Sequence, residues 1–205
     1  LEVAVASYAG PNGAVVDLGE FGAIESFFAG RSAVRVLINL AVARYPVRDN
    51  EDYDWSHWER ELRVNLGATY KCSVEAARSM KDAGFGRIVN AGSIYGEVAV
   101  DHGIYPEEMD HTHIVYSTSK AAIIHMTREL ASTWAEDGIT VNCLSFGGIE
   151  ADQPEDFKCE YNRKVPMGRM GREEELVPAL DFLVSADNDY FTGQNIVVDG
   201  GFTIW

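Results

Sequence analysis

Tyr116 and Lys120 stand four residues apart at the start of the segment Tyr116-Ser117-Thr118-Ser119-Lys120-Ala121-Ala122, so on a helix their side chains share one face of one turn. A phenol with an ordinary pKa near ~10 is a poor base at neutral pH, and an ammonium beside it favours the phenolate. The pair is suited to exchanging a proton with a hydroxyl or carbonyl. Alone it carries little weight, because nine tyrosines give chance ample room. Other reactive types offer less. His111 and His113, two apart, would meet a metal only if a loop brought acids to them. Cys72, Cys143 and Cys159 include no C-x-x-C pair, which points away from a zinc site or a disulfide framework. Trp55 and Trp58 read as packing on a helix.

The elements that must position this pair follow from apolar periodicity. Apolar runs bounded by turn residues predict strands at Ala14–Asp17, Val34–Asn39, Gly86–Ala91, Thr140–Ser145 and Asn195–Asp199. Helical spacing predicts helices near Phe21–Phe28, Trp55–Ala83, Ser117–Asp137 and Glu173–Val184. Gly138 sits where a helix should stop. Strands alternating with helices predict an α/β fold with a mostly parallel sheet, read as one domain over residues 1–205. Two stretches resist the pattern: residues 97–115, rich in His, Tyr and acids, and residues 150–170. Both follow strands at the carboxyl edge of the sheet, where open α/β folds place ligands. They are expected to form the wall of a substrate site.

Composition narrows the function classes. The chain has 205 residues, 46% of them hydrophobic, and a formal net charge of −15. Residues 1–48 hold four acids and four bases, so the excess falls in residues 49–205. A nucleic-acid partner needs clustered Lys and Arg, and none is seen. No apolar run is long enough to span a bilayer. A reducing, cytoplasmic setting is the expectation from the cysteine usage.

Five segments, in order, resemble the motifs of the short-chain dehydrogenase/reductase family. Gly86-Arg87-Ile88-Val89-Asn90-Ala91-Gly92-Ser93 resembles the strand that ends in its catalytic serine, and Val64-Asn65-Leu66 the helix bearing its catalytic asparagine. Val34–Ala41 is similar to the strand of its Asn-Asn-Ala-Gly motif, Val141–Ile149 to the strand ending in its Pro-Gly turn, and Thr192–Gly201 to its last strand. The resemblance implies a Rossmann-like, doubly wound sheet and hydride transfer between NAD or NADP and a secondary alcohol or ketone. It also implies roles. Tyr116 would be the acid/base, and Ser93 would hydrogen-bond the reacting oxygen. Lys120 would hold the nicotinamide ribose and lower the tyrosine pKa, and Asn65 would support a proton path behind Lys120. Asp17, Asn39, Ala41, Gly147 and Ile149 would contact the cofactor, Asp17 at its adenine. The step of 23 residues from Ser93 to Tyr116 is about ten longer than is common in the family. With Ser93-Ile94-Tyr95-Gly96, Tyr105 and the segment Gly148–Glu155 it resembles members encoded with flagellin-modification and surface-polysaccharide pathways, which implies a sugar-like small-molecule substrate. Homodimers or tetramers, built through the long helices, are a further implication.

The resemblance departs at the N-terminus. A dinucleotide fold opens with a strand, a glycine-rich turn and a helix, and here that unit is expected to be missing or reduced to Leu1–Gly13. Leu40, Val42 and Phe146 also replace the family's Asn, Gly and Pro. Two readings follow: a truncated or incompletely represented dehydrogenase, or a non-catalytic scaffold on the same fold with impaired cofactor binding.

Overall fold

The computed structural model describes residues 15–29, 31, 34–49, 51 and 53–205. Four strands form one parallel sheet in chain order: β1 Val36–Asn39, β2 Gly86–Ala91, β3 Ile139–Phe146 and β4 Asn195–Val198. Register pairs Leu37 with Ile88, Ile88 with Val141, and Leu144 with Ile196. Successive side chains alternate between faces. Leu37, Ile88 and Val141 enter the larger core, while Ile38, Val89 and Leu144 enter a smaller one on the other side. Both faces being covered, β2 is buried along its whole length and reads as a continuous apolar run broken by Arg87 and Asn90.

The larger core is covered by α1 (Phe21–Ala29), α3 (Thr69–Ala83) and α4 (Ile114–Trp134), which contribute Ile24, Phe28, Ala76, Met80, Leu130 and Trp134. The smaller core is covered by α6 (Val177–Val184), through Leu180, Leu183 and Val184. Strand order advances one way throughout, yet the third connection crosses the opposite face from the first two. It therefore has the opposite hand. To reach that face the chain travels over the carboxyl ends of the strands through residues 147–176, which places α5 (Glu155–Lys164) there.

The expected helix over 55–83 is one rod with a defect. It begins as α2 (Trp55–Leu62), capped by the Asp54 carboxylate accepting from Ser56 N at 2.8 Å. It widens to a π turn over Arg63–Ala68 and continues as α3. Gly84 (φ 60°) ends it. Gly138 does close α4's trailing turn: its φ is 74°, and an added Cβ would lie 2.3 Å from the Gly84 carbonyl oxygen. Only glycine fits there.

Three expectations change. Val15–Asp17 is not a strand; no described residue pairs with it, and a strand exists only through its ladder. Residues 150–170 are less irregular than expected, because they contain α5. That helix buries only Phe157 and Tyr161, four apart, amid charge, too narrow a stripe to show as a helical period. α4 starts earlier than expected, at Ile114, where the His113 ring nitrogen caps it by accepting from Val115 N at 3.2 Å. The turn Gly10–Gly13, Ala14 and the reduced dinucleotide unit of Leu1–Gly13 lie outside the described residues. No helix among those described is long and apolar enough to cross a membrane.

Candidate active site

Ser93 is delivered by the close approach of two strands. At Gly92 an added Cβ would lie 2.1 Å from Ser145 Oγ, so only a residue without a side chain lets β2 end this near β3. Ser93 then takes an extended conformation (φ −164°, ψ 155°) and its Oγ accepts from Tyr95 N at 3.1 Å, opening a short 3-10 turn, Ile94–Gly96. That turn rests on α4: an added Cβ at Gly96 would meet the Lys120 carbonyl carbon at 2.9 Å and Ala121 N at 3.0 Å. The contact brings the Tyr116 hydroxyl within hydrogen-bonding reach of Ser93. One turn further on, Lys120 is buried, and its Nζ donates to the Ala91 carbonyl at 2.7 Å while lying 5.6 Å from the centre of the Tyr116 ring. Ser93, Tyr116 and Lys120 are thus brought together as expected.

Burial dominates the electrostatics of the pair. Burial pushes the Tyr116 hydroxyl above its ordinary pKa; the hydrogen bond with Ser93 and the charge of Arg44 pull the other way. Burial also pulls the Lys120 ammonium down, to about 8. A stability consequence follows. Between about pH 8 and the ordinary lysine value of ~10.4 the unfolded chain binds a proton at this position that the folded protein has released, so stability rises with pH across that window. Urea titrations should show wild type gaining roughly 2–3 kcal/mol relative to Lys120→Met between those limits. Parallel pH dependences for the two proteins would show that Lys120 titrates normally.

Ser93 and Tyr116 line a cavity of about 200 Å³. Arg44, Tyr95, Tyr105, Thr112, Gln153 and Tyr161 also face it. Both irregular stretches contribute to its wall, and a separate apolar cluster of Ile94, Ile104, Phe157, Tyr161, Val165, Met170 and Phe202 holds them together. The 97–113 stretch is tied back to the loop after β1 by a Val47–His111 bridge and an Arg48–Asp110 ion pair at 2.9 Å. Arg44 and Thr112 carry no site signal that the sequence reading picks out. The available signal for Arg44 was its position just past the carboxyl end of β1. A larger cavity, about 440 Å³, lies across the Gly147-Gly148-Ile149 turn and excludes Ser93 and Tyr116. Its Arg169 and Glu175 neutralise each other through contacts of 2.6 and 2.7 Å.

The remaining expected site residues have structural partners. Asn65 lies in the π turn, completely buried, and clasps the backbone of Ala43: its Oδ1 accepts from Ala43 N at 2.7 Å and its Nδ2 donates to Ala43 O at 3.0 Å. The Asn65 carbonyl accepts the Thr69 hydroxyl at 2.7 Å. Asn39 donates to Ser73 Oγ and Asn90 Oδ1, at 3.1 and 2.9 Å, so its amide braces β1 against β2 and α3. Ala41 packs at the margin of the larger core. Asp17 is exposed, accepts from Gly19 N at 2.8 Å and pairs with Arg60 at 3.2 Å. Gly147 and Ile149 border both cavities. The room left by Gly147 and Gly148 is filled by Tyr161, whose hydroxyl an added Cβ would meet at 3.1 and 3.0 Å.

Comparison with known proteins places this arrangement. Residues 23–203 match the family model described as Enoyl-(Acyl carrier protein) reductase. Galactitol 2-dehydrogenase of Rhizobium johnstonii is 35% identical, over 94% of this chain and 75% of its own length. An NADP-dependent mannitol dehydrogenase of Hypocrea jecorina is 34% identical, over 90% of this chain and 63% of its own. A short chain dehydrogenase from Leptospira borgpetersenii with bound NAD+ superposes with a TM-score of 0.84 at 38% identity, over 93% of this chain and 75% of that one. The chain spans 63% and 75% of the length of these two curated relatives.

Proposed function

Because the chain belongs to the short-chain dehydrogenase/reductase family, we propose that the protein interconverts a secondary alcohol and a ketone with NAD or NADP, on a small polyol or related sugar derivative. The observation that carries this reading is the meeting of Tyr116, Ser93 and buried Lys120 at one cavity. The names of the relatives, which act on galactitol and mannitol, support the substrate class.

When bound, the nicotinamide accepts or supplies the hydride. The donor set suits its ribose end: the described residues give the Lys120 ammonium one acceptor, the Ala91 carbonyl, and its other N–H groups suit ribose hydroxyls. Tyr116 Oη takes the proton from the substrate hydroxyl in oxidation and returns it in reduction. Ser93 Oγ, held by Tyr95 N–H, hydrogen-bonds the same oxygen and stabilises charge as it forms there. Asn65 acts by holding the loop after β1 in place. Exposed Trp55 and Tyr70, on the rod over 55–83, support assembly into a homodimer or tetramer.

Purified protein supplied with NAD+ or NADP+ and a panel of alditols should show a substrate-dependent rise in absorbance at about 340 nm, the reduced-nicotinamide band. No absorbance change with any member, together with no calorimetric binding of either cofactor, sinks the reading in favour of a scaffold. Light scattering on the same preparation reports assembly, and a strictly monomeric mass removes that part.

A further inference from the structure

The cavity at Ser93 and Tyr116 has one charged side chain among its described lining residues, Arg44, and no carboxylate. In a chain of net charge −15 an acid-free wall is a selective arrangement. Arg44 Nη2 donates to Thr112 Oγ1 at 2.7 Å, and that hydroxyl lies 3.2 Å from Tyr105 OH. The guanidinium carbon sits 5.8 Å from the centre of the Tyr116 ring. Among the described residues no acid lies within ion-pairing distance of Arg44, whereas Arg48, four residues on, has Asp110; the nearest negative influence is buried Glu61, whose pKa the Arg44 charge lowers while its Oε1 is engaged by Tyr45 N and Tyr53 OH. A guanidinium offers five N–H donors in a planar fork. One hydrogen bond to Thr112 aims the fork and leaves most of its donors for a ligand.

Resting on the dehydrogenase reading above, we propose that Arg44 is the anchor for an anionic group on the substrate, so that the preferred substrate is a hydroxy or keto acid rather than a neutral polyol. Thr112 and Tyr105 supply neutral hydroxyls beside the charge, and the fork geometry matches a carboxylate bidentately. The same geometry would accept a phosphate. A cavity of about 200 Å³ is smaller than the ~300–1,000 Å³ of sites for drug-sized ligands, which favours the compact carboxylate. Arg44 also pulls the Tyr116 pKa down. A bound carboxylate offsets that pull, so the substrate acid and the catalytic hydroxyl are electrostatically coupled.

Matched pairs test this: glucitol against gluconate and galactitol against galactonate, each differing only in one CH₂OH or carboxylate, with glucitol 6-phosphate, which has no carboxylate, as the phosphate arm. Calorimetric titration of the purified, cofactor-supplied protein should find at least one aldonate binding about 10–100-fold more tightly than its alditol, with the preference shrinking as salt rises. Arg44→Gln should abolish the preference, raising KM for the aldonate far more than it lowers kcat, and Arg44→Lys should restore part of it. A phosphate arm that outbinds both aldonates overturns the carboxylate assignment. No aldonate outbinding its alditol, or a preference that survives in Arg44→Gln, overturns the anchor. Turnover separates this from the parent reading. Alditol oxidation without aldonate preference keeps the dehydrogenase and sinks the anchor; aldonate binding without cofactor-dependent turnover does the reverse.

Discussion

Tyr116→Phe is expected to lower kcat by about 10²–10⁴-fold, the range for losing a positioned general acid or base, with little change in fold. Phenylalanine keeps the ring, which lies against Lys120 and Arg44, and removes only the hydroxyl. Urea unfolding should therefore shift by less than about 1.5 kcal/mol, the worth of one hydrogen bond. The wild-type pH profile carries the complementary signature. With the Tyr116 pKa pushed up by burial, the hydroxyl holds its proton at neutral pH, so alcohol oxidation gains as pH rises and ketone reduction loses. Tyr116→Phe should flatten that dependence. A variant with near wild-type turnover would assign the proton to another group.

The second large effect is on stability, at the opposite end of β2. Arg87 is completely buried and crosses to the segment after α6. It donates to the carbonyls of Ser185 and Ala186 at 3.0 and 3.2 Å, to Asp189 at 2.5 Å, and lies 4.2 Å over the Phe85 ring. Asp189 is 79% exposed, so the ion pair itself is screened by solvent and adds little. The buried, stacked guanidinium and its hydrogen bonds to the partly buried 185–186 backbone carry the effect. Arg87→Ala removes those hydrogen bonds and opens a cavity, a loss of about 2–5 kcal/mol. Arg87→Met fills the volume but not the hydrogen bonds and should lose roughly half as much. Residues 87 and 93 are separated by about 20 Å of extended chain, so turnover below the melting transition should be unchanged. A loss under about 1 kcal/mol for Arg87→Ala would mean the 185–189 segment is held by other contacts.

The sheet and the grouping of Ser93, Tyr116 and Lys120 were legible in the sequence for concrete reasons. Runs such as Ile139–Phe146 are apolar because both faces of the sheet are covered, and the i, i+4 spacing of Tyr116 and Lys120 survives any helix that contains it. What was not legible depended on contacts distant in the chain. The π turn at Arg63–Ala68 leaves no mark in apolar spacing, since its consequence is the Asn65 clasp on Ala43, 22 residues away. Arg44 gains meaning only when Thr112 and Tyr116 fold against it. Spacing reports proximity and not solvation: Tyr116 and Lys120 are both buried, and burial is the largest influence on each of their pKa values. Val15–Asp17 has the composition of a strand, but composition supplies no partner.

The two irregular stretches that wall the cavity share their apolar cluster with each other and not with the sheet core. Segments secured mainly by such a satellite cluster open in units of their own, at free energies below that of global unfolding. Amide hydrogens at the Val47–His111 bridge should therefore exchange with solvent by an opening that leaves Ile88 and Val141 protected, which hydrogen-exchange measurements would show. A substrate can enter and a product leave by the same movement, without disturbing the strands that hold Ser93.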